Sequence, residues 1–240
     1  MEIYAMTDIG GRPDENQDRV NTLRLADNAV FAIVCDGMGG ENAGSTASFK
    51  TMQIVSDRIM GGYRDDRDEL SLKNLMINSV KTANAVVHEI AEYDETKSGM
   101  GTTCVAVLRK DNRIFCVNVG DSRAYLIDNE ITQITKDHTV VMSMYENGEI
   151  EFEEMKTHPR RNLITRAVGV SETVNPDFFS MEINEGAAVL LCSDGLYGCC
   201  EDYMLYNAVK NVSPEKLPKK LIDMAIENGS GDNISAAVII

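Results

Sequence analysis

Three aspartates in this chain stand where apolar runs end: Asp36 after Phe31-Ala32-Ile33-Val34-Cys35, Asp121 after Phe115-Cys116-Val117-Asn118-Val119-Gly120, and Asp194 after Ala187-Ala188-Val189-Leu190-Leu191-Cys192-Ser193. A fourth, Asp232 in Gly231-Asp232-Asn233, comes just before the apolar run Ile234 to Ile240. A carboxylate at the point where a buried strand leaves the core is held rigidly, and several such oxygens together suit a hard divalent cation. Gly37, Gly39 and Gly40 follow Asp36, and their missing side chains let the main chain turn tightly and bring a backbone carbonyl beside the carboxylate. One Asp-Gly after a strand is ordinarily a hairpin turn. Four acids at strand mouths, on a sheet that could gather them, are much harder to read as turns. No histidine or cysteine set accompanies them at ligand spacing, which favours magnesium or manganese over zinc or copper. Two such ions about 4 Å apart can share a water, lower its pKa and clamp a phosphoryl group for in-line attack, so the reaction would be hydrolysis of a phosphate ester. Nucleophilic routes lack their motifs: the chain has no Gly-x-Ser-x-Gly elbow, no Gly-x-x-x-x-Gly-Lys-Ser/Thr loop, and no cysteine followed by a phosphate-cradling loop ending in arginine.

The elements that must position these acids are legible from pattern. Residues 2–8 and 29–35 read as strands, the latter apolar enough to be buried on both faces. Between them lies the polar loop of residues 10–18, which either faces solvent or serves a site. Glu41 to Met60 reads as a helix with Ala43, Ala47, Met52, Val55 and Ile59 inward. Ser71 to Glu92 carries the stripe Leu72, Leu75, Met76, Val80, Ala83, Val87, Ile90 and Ala91. His88 in that helix has no acid or histidine partner at ligand spacing and reads as a core-edge residue. Short strands at 102–108, 113–119, 123–127 and 130–134 read as an antiparallel meander. Residues 137–161, with Lys156, His158, Arg160 and Arg161, break the rhythm as either a surface excursion or a flap over an anion site. Strands at 178–183 and 187–192 follow, then helices at 201–211 and 213–228, with Ser213-Pro214-Glu215 as a helix start, and a last strand at 234–240.

Composition narrows the class. With 240 residues, 43% apolar and 25% charged, the chain reads as one soluble globular domain spanning 1–240. A net charge of -15 argues against nucleic acid and anionic membranes as partners. There is no run of ~20 apolar residues and no basic leader, so a cytoplasmic location is expected. Of the six cysteines, Cys35, Cys104, Cys116 and Cys192 fall in predicted strands, and free thiols in a reducing compartment are expected.

The ordered motifs Thr7-Asp8-Ile9-Gly10, Asn16-Gln17-Asp18, Asp36-Gly37-Met38-Gly39-Gly40, Gly101-Thr102-Thr103, Val119-Gly120-Asp121-Ser122-Arg123-Ala124, Ser193-Asp194-Gly195-Leu196 and Gly231-Asp232-Asn233 resemble those of the bacterial metal-dependent, type 2C Ser/Thr protein phosphatases. The resemblance runs from near Thr7 to the C-terminus. It implies an α+β fold, a four-layer α-β-β-α sandwich of two central antiparallel sheets flanked by helices, with a flap near 137–161. It also implies a centre of two ions, Mn2+ or Mg2+. Asp36 would bridge them, the carbonyl of Gly37 would bind one, Asp194 and Asp232 the other, and Asp18 would hold metal-bound water. Asp121 would join Asp194 at a third, weaker site, and water would attack directly without a phosphoenzyme. Arg12 is the candidate phosphate-binding arginine, although it stands four residues before Asn16 and Pro13 occupies the family's usual place. Met38 stands where eukaryotic members carry a histidine. The expected substrates are phosphoserine and phosphothreonine proteins, including a Ser/Thr kinase, acted on by a monomer. The alternative is a module of the same fold that binds phosphoproteins without hydrolysing them.

Overall fold

The computed structural model describes residues 1–11, 15–40 and 43–240. In chain order the strands are β1 (Ile3–Asp8), β2 (Arg19–Arg24), β3 (Val30–Cys35), β4 (Gly37–Met38), β5 (Gly101–Thr102), β6 (Cys104–Lys110), β7 (Arg113–Val119), β8 (Arg123–Ile127), β9 (Ile131–Gln133), β10 (Asp177–Glu182), β11 (Ala188–Cys192) and β12 (Ile234–Ile239). The helices are α1 (Ala43–Gly62), α2 (Glu69–Tyr93), α3 (Val140–Glu146), α4 (Asp194–Tyr197), α5 (Asp202–Asn211) and α6 (Leu217–Glu227).

Two five-stranded antiparallel sheets form the centre, ordered β1-β12-β11-β8-β9 and β10-β7-β6-β3-β2. Alternation along each inner strand builds three apolar layers. On β3, Val30, Ala32 and Val34 face the other sheet, where they meet Val189, Leu191, Ala237 and Ile239. Phe31, Ile33 and Cys35 face outward against Val55 and Ile59 of α1 and Met76, Val80 and Ala83 of α2. On the opposite side, Leu190 and Cys192 of β11 and Ala236 and Val238 of β12 pack on Leu205 of α5 and Leu221, Ile222 and Ala225 of α6. This is the expected four-layer sandwich, and β3 is buried on both faces as its composition indicated.

Three details depart from the sequence-based expectation. Residues 102–134 are not one meander: β6 and β7 belong to one sheet and β8 and β9 to the other, and the chain crosses between them at Gly120-Asp121-Ser122. Gly120 makes the crossing possible, with φ of +100° and the Thr103 side chain filling the place of a Cβ. Strand β2 was not foreseen, because its residues are all half-buried or exposed and carry no clean alternation. The start has Ser213 at the cap and Pro214 first, as expected, but it opens as a single 3-10 turn, Pro214–Lys216, leading into α6, and Ser213 Oγ donates to Glu215 instead of accepting from a backbone N–H.

The excursion after β9 is closed on itself by a bridge between Thr139 and Ile164 and contains α3 and a 3-10 turn, Phe152–Lys156. All six cysteines are free thiols. Among the described residues no helix is long and apolar enough to cross a membrane.

Candidate metal centre

Strand register explains why the acids meet. In the β2–β3 pairing Arg19 lies opposite Cys35, so Asp18 and Asp36 are the next pair along. In the β3–β6 pairing Val34 lies opposite Val105, which brings Thr103 to Asp36. The Asp36 N–H donates to Thr103 Oγ1 (2.9 Å), the Asp36 carbonyl accepts from Thr103 N–H (2.8 Å) and Thr102 Oγ1 (2.8 Å), and Thr103 Oγ1 meets Ser122 Oγ at 2.6 Å. Asp18, Asp36 and the Gly120-Asp121 crossing therefore line one end of a single sheet.

The other sheet presents a row of hydroxyls at the same end. Ser235 lies opposite Thr7, and its hydroxyl donates to Thr7 Oγ1 at 2.8 Å. Ser193 Oγ accepts from Ser235 N–H at 3.0 Å and donates across the sandwich to Asp18 Oδ2 at 2.6 Å. Asp194 follows Ser193 as the first residue of α4, and Asp232 comes two residues before β12. The four acids expected at strand mouths thus sit at one end of the sandwich, but they are shared between its two sheets rather than gathered on one.

Close backbone packing holds this arrangement. A Cβ on Gly37 would land on the Gly44 carbonyl, and one on Gly10 on the Asp232 carbonyl. Gly37 therefore serves by close approach; of the glycines after Asp36, only Gly39 has a positive φ. Asn233 laces the N-terminal loop to β12: its Oδ1 accepts from Gln17 N–H (2.8 Å) and its Nδ2 donates to the carbonyls of Ile9 (2.8 Å) and Glu15 (3.1 Å). His138 clamps the crossing, since Gly120 N–H donates to His138 Nδ1 and His138 N–H donates to the Gly120 carbonyl, both at 3.0 Å. With Nδ1 accepting, the ring proton of neutral His138 sits on Nε2, facing Asp177 Oδ2 at 3.1 Å. Burial holds this imidazole below its ordinary pKa, partly countered by the bond to Asp177.

The electrostatics are those of crowded, poorly hydrated carboxylates. Burial pushes Asp36 well above the usual carboxylate range, and the charges of Asp18, Asp194, Asp121 and Asp232 push it further. Asp18, 1% exposed, is raised to about 7 by burial and by Asp194 and Asp232, against the hydrogen bond from Ser193. Asp121, 8% exposed, is raised to about 7 by burial, Asp194 and Asp137, with Arg123 opposing. Arg123 is otherwise engaged, forked onto Asp137 through Nε and Nη2 (3.1 and 2.7 Å) and stacked 3.7 Å over the Tyr197 ring.

A cation is what this environment lacks charge balance for. Asp18 Oδ1 is buried with no hydrogen-bond partner among the described residues. Carboxylate and backbone carbonyl oxygens are hard donors that fit Mg2+ or Mn2+. Among the described residues, no three His, Cys, Asp or Glu side chains converge closely enough to form a ligand group by themselves. Arg12 lies outside the described residues.

Sequence reasoning singled out the acids but not Ser235 or His138. Ser235 had a signal, being the one hydroxyl within an apolar run. His138 had none, since its partners lie 18 and 39 residues away.

Comparison with known proteins decides the family. The model for "Protein phosphatase 2C" matches residues 12–226. The serine/threonine phosphatase stp of Listeria monocytogenes is 34% identical over 246 residues, covering 100% of this chain and 95% of that protein. The chain belongs to the protein phosphatase 2C family. Members are metal-dependent, in keeping with the acid mouth. The serine/threonine protein phosphatase PstP of Mycobacterium tuberculosis is 36% identical over 239 residues, which are 99% of this chain and 44% of that protein. Its crystal structure superposes with a TM-score of 0.87 at 34% identity, covering 99% of this chain and 97% of that one. The Streptococcus agalactiae serine/threonine phosphatase reaches 0.91 at 30% identity, covering 99% and 98%.

Proposed function

We propose that the acid mouth is the catalytic centre of a Ser/Thr protein phosphatase that hydrolyses phosphoserine and phosphothreonine on proteins. The carrying observation is the shared field of the aspartates: Asp18, Asp121, Asp194 and Asp232 all press on Asp36. In this reading two ions, Mn2+ or Mg2+, are held by Asp36, the carbonyl of Gly37, Asp194 and Asp232, and a third position by Asp121 with Asp194. When bound, the ions supply the positive charge that makes water nucleophilic at neutral pH and steadies phosphoryl oxygens. The chain's own residues do the rest. Asp18 orients a water through its buried Oδ1 while Ser193 fixes the other oxygen. Arg12 binds the phosphoryl group. The excursion 137–161, where Lys156, Arg160 and Arg161 are exposed, acts as a flap over the substrate. The chain works as a single monomeric domain in the cytoplasm and reverses a Ser/Thr kinase.

The test is phosphate release from a phosphothreonine peptide by metal-stripped protein with and without added Mn2+. Release only with Mn2+ supports the reading. Absence of release from protein shown to bind Mn2+ overturns it in favour of a non-catalytic phosphoprotein-binding module.

A further inference from the structure

Next to the acid mouth is a cavity of about 320 Å3, lined by Met38, Ile164, Ala167, Val170, Ser171 and Thr173 among others. Met38 is two residues past Asp36, and three consecutive residues span at most about 7 Å. The cavity also shares its support with the acid. Thr102 and Val168 exchange both backbone hydrogen bonds (3.0 and 2.9 Å), and the Thr102 hydroxyl donates to the Asp36 carbonyl. Val170, 51% exposed, packs over Gly101, where any side chain would meet its methyl group.

Residues 164–175 have almost no regular structure, yet buried polar side chains pin them. Asn84 of α2, 1% exposed, accepts from Gly169 N–H (2.8 Å) and donates to the carbonyls of Ser171 (3.0 Å) and Glu172 (3.1 Å). His88 Nδ1 donates to the Gly169 carbonyl at 3.0 Å. At the other end, Arg166 Nη1 donates to the Asn175 carbonyl (2.8 Å) and Asp177 Oδ1 (2.7 Å). A loop held in this way is ordered before any ligand arrives, so binding does not pay for ordering it.

The lining sets the ligand chemistry. It is about half apolar, from Met38, Ile164 and Val170 among others, and half neutral hydroxyl and amide groups, and its one ionic residue, Arg166, is already paired with Asp177. A charged side chain entering would lose hydration without finding a partner, whereas an uncharged one would gain from burying its carbon atoms. An extended peptide advances about 3.3 Å per residue, so a phosphoresidue at Asp36 places a side chain one or two positions away at this cavity.

We propose that the cavity is a substrate-recognition pocket that takes an uncharged side chain one or two positions from the phosphorylated residue of a protein substrate. The proposal rests on the phosphatase reading above. It is tested with wild-type protein and Mn2+ on phosphothreonine peptides that carry Leu, Asp or Lys at each of the two positions on either side. p-Nitrophenyl phosphate, which has no flanking residues, is the reference. The expected result is about a tenfold preference in kcat/KM for Leu at one position, mainly through KM. Val170→Asp should lower the ratio of peptide to p-nitrophenyl phosphate kcat/KM about tenfold and abolish that preference. Equal kcat/KM across all flanking residues in the wild type would overturn the pocket while leaving the phosphatase reading standing, as would an equal loss on both substrates in Val170→Asp. Failure to hydrolyse either substrate would overturn the phosphatase reading and the pocket with it.

Discussion

Along β3 the chain passes in one step from the driest part of the molecule to its most charged. Val30–Cys35 are all buried among aliphatic neighbours, and each large side chain there contributes about 1.5–3 kcal/mol by leaving water. Asp36, the next residue, feels the negative charge of four other carboxylates. The interior stabilises the fold without taking part in chemistry; in the proposed reading the mouth does chemistry at the expense of stability. Substitutions in the two regions should therefore have opposite signatures.

The largest contrast is expected from Asp36→Asn. Phosphatase kcat should fall roughly 10^3-fold or more, the scale of losing a preorganised charge at the reacting centre. The melting temperature of the metal-free variant should equal or exceed that of the wild type, because one of the repelling charges is gone. Leu190→Ala should do the reverse. Leu190 is fully buried between β11 and the outer helices, so thermal or denaturant unfolding should show a loss of about 2–5 kcal/mol. Its kcat at low temperature should stay near wild type.

A subtler contrast is in pH. The folded-state pKa of Asp121 is raised to about 7 from an ordinary 3.8. Its contribution to stability is thus fully present below about pH 4 and is lost as pH rises towards 7. In Asp121→Asn the side chain is neutral throughout, so the melting temperature of the metal-free variant relative to wild type should climb between pH 5 and pH 8. A constant difference across that range would mean that Asp121 is not under pressure from its neighbours. The smallest effect is expected at Lys156, which ties the 137–161 excursion to Glu201 at 3.1 Å with both side chains about two-thirds exposed. Lys156→Ala should cost less than about 1 kcal/mol.

Much of the interior was legible because burial leaves a mark on every residue of a strand. The two-sided burial of β3, the α2 stripe and the C-terminal strand all follow from continuous or periodic apolar residues. At the mouth, what was legible was residue type: acids and glycines at the ends of apolar runs. The geometry was not, because it depends on pairings between distant segments. Asp18 reaches Asp36 through the register of β2, a strand without a periodic signature, and its hydrogen bond to Ser193 joins residues 175 apart. The crossing at Gly120 was read as the continuation of a meander because nothing local distinguishes a turn within a sheet from a passage between two sheets.

The most direct test of the central claim, that these aspartates act as one cation-demanding cluster, is calorimetric titration of Mn2+ into metal-free wild-type protein and Asp36→Asn at pH 6 and pH 8. We expect wild-type binding to tighten from pH 6 to pH 8 as protons cease to compete, and to weaken at least tenfold in the variant. Equal affinity in the two proteins, or binding insensitive to pH, would contradict it.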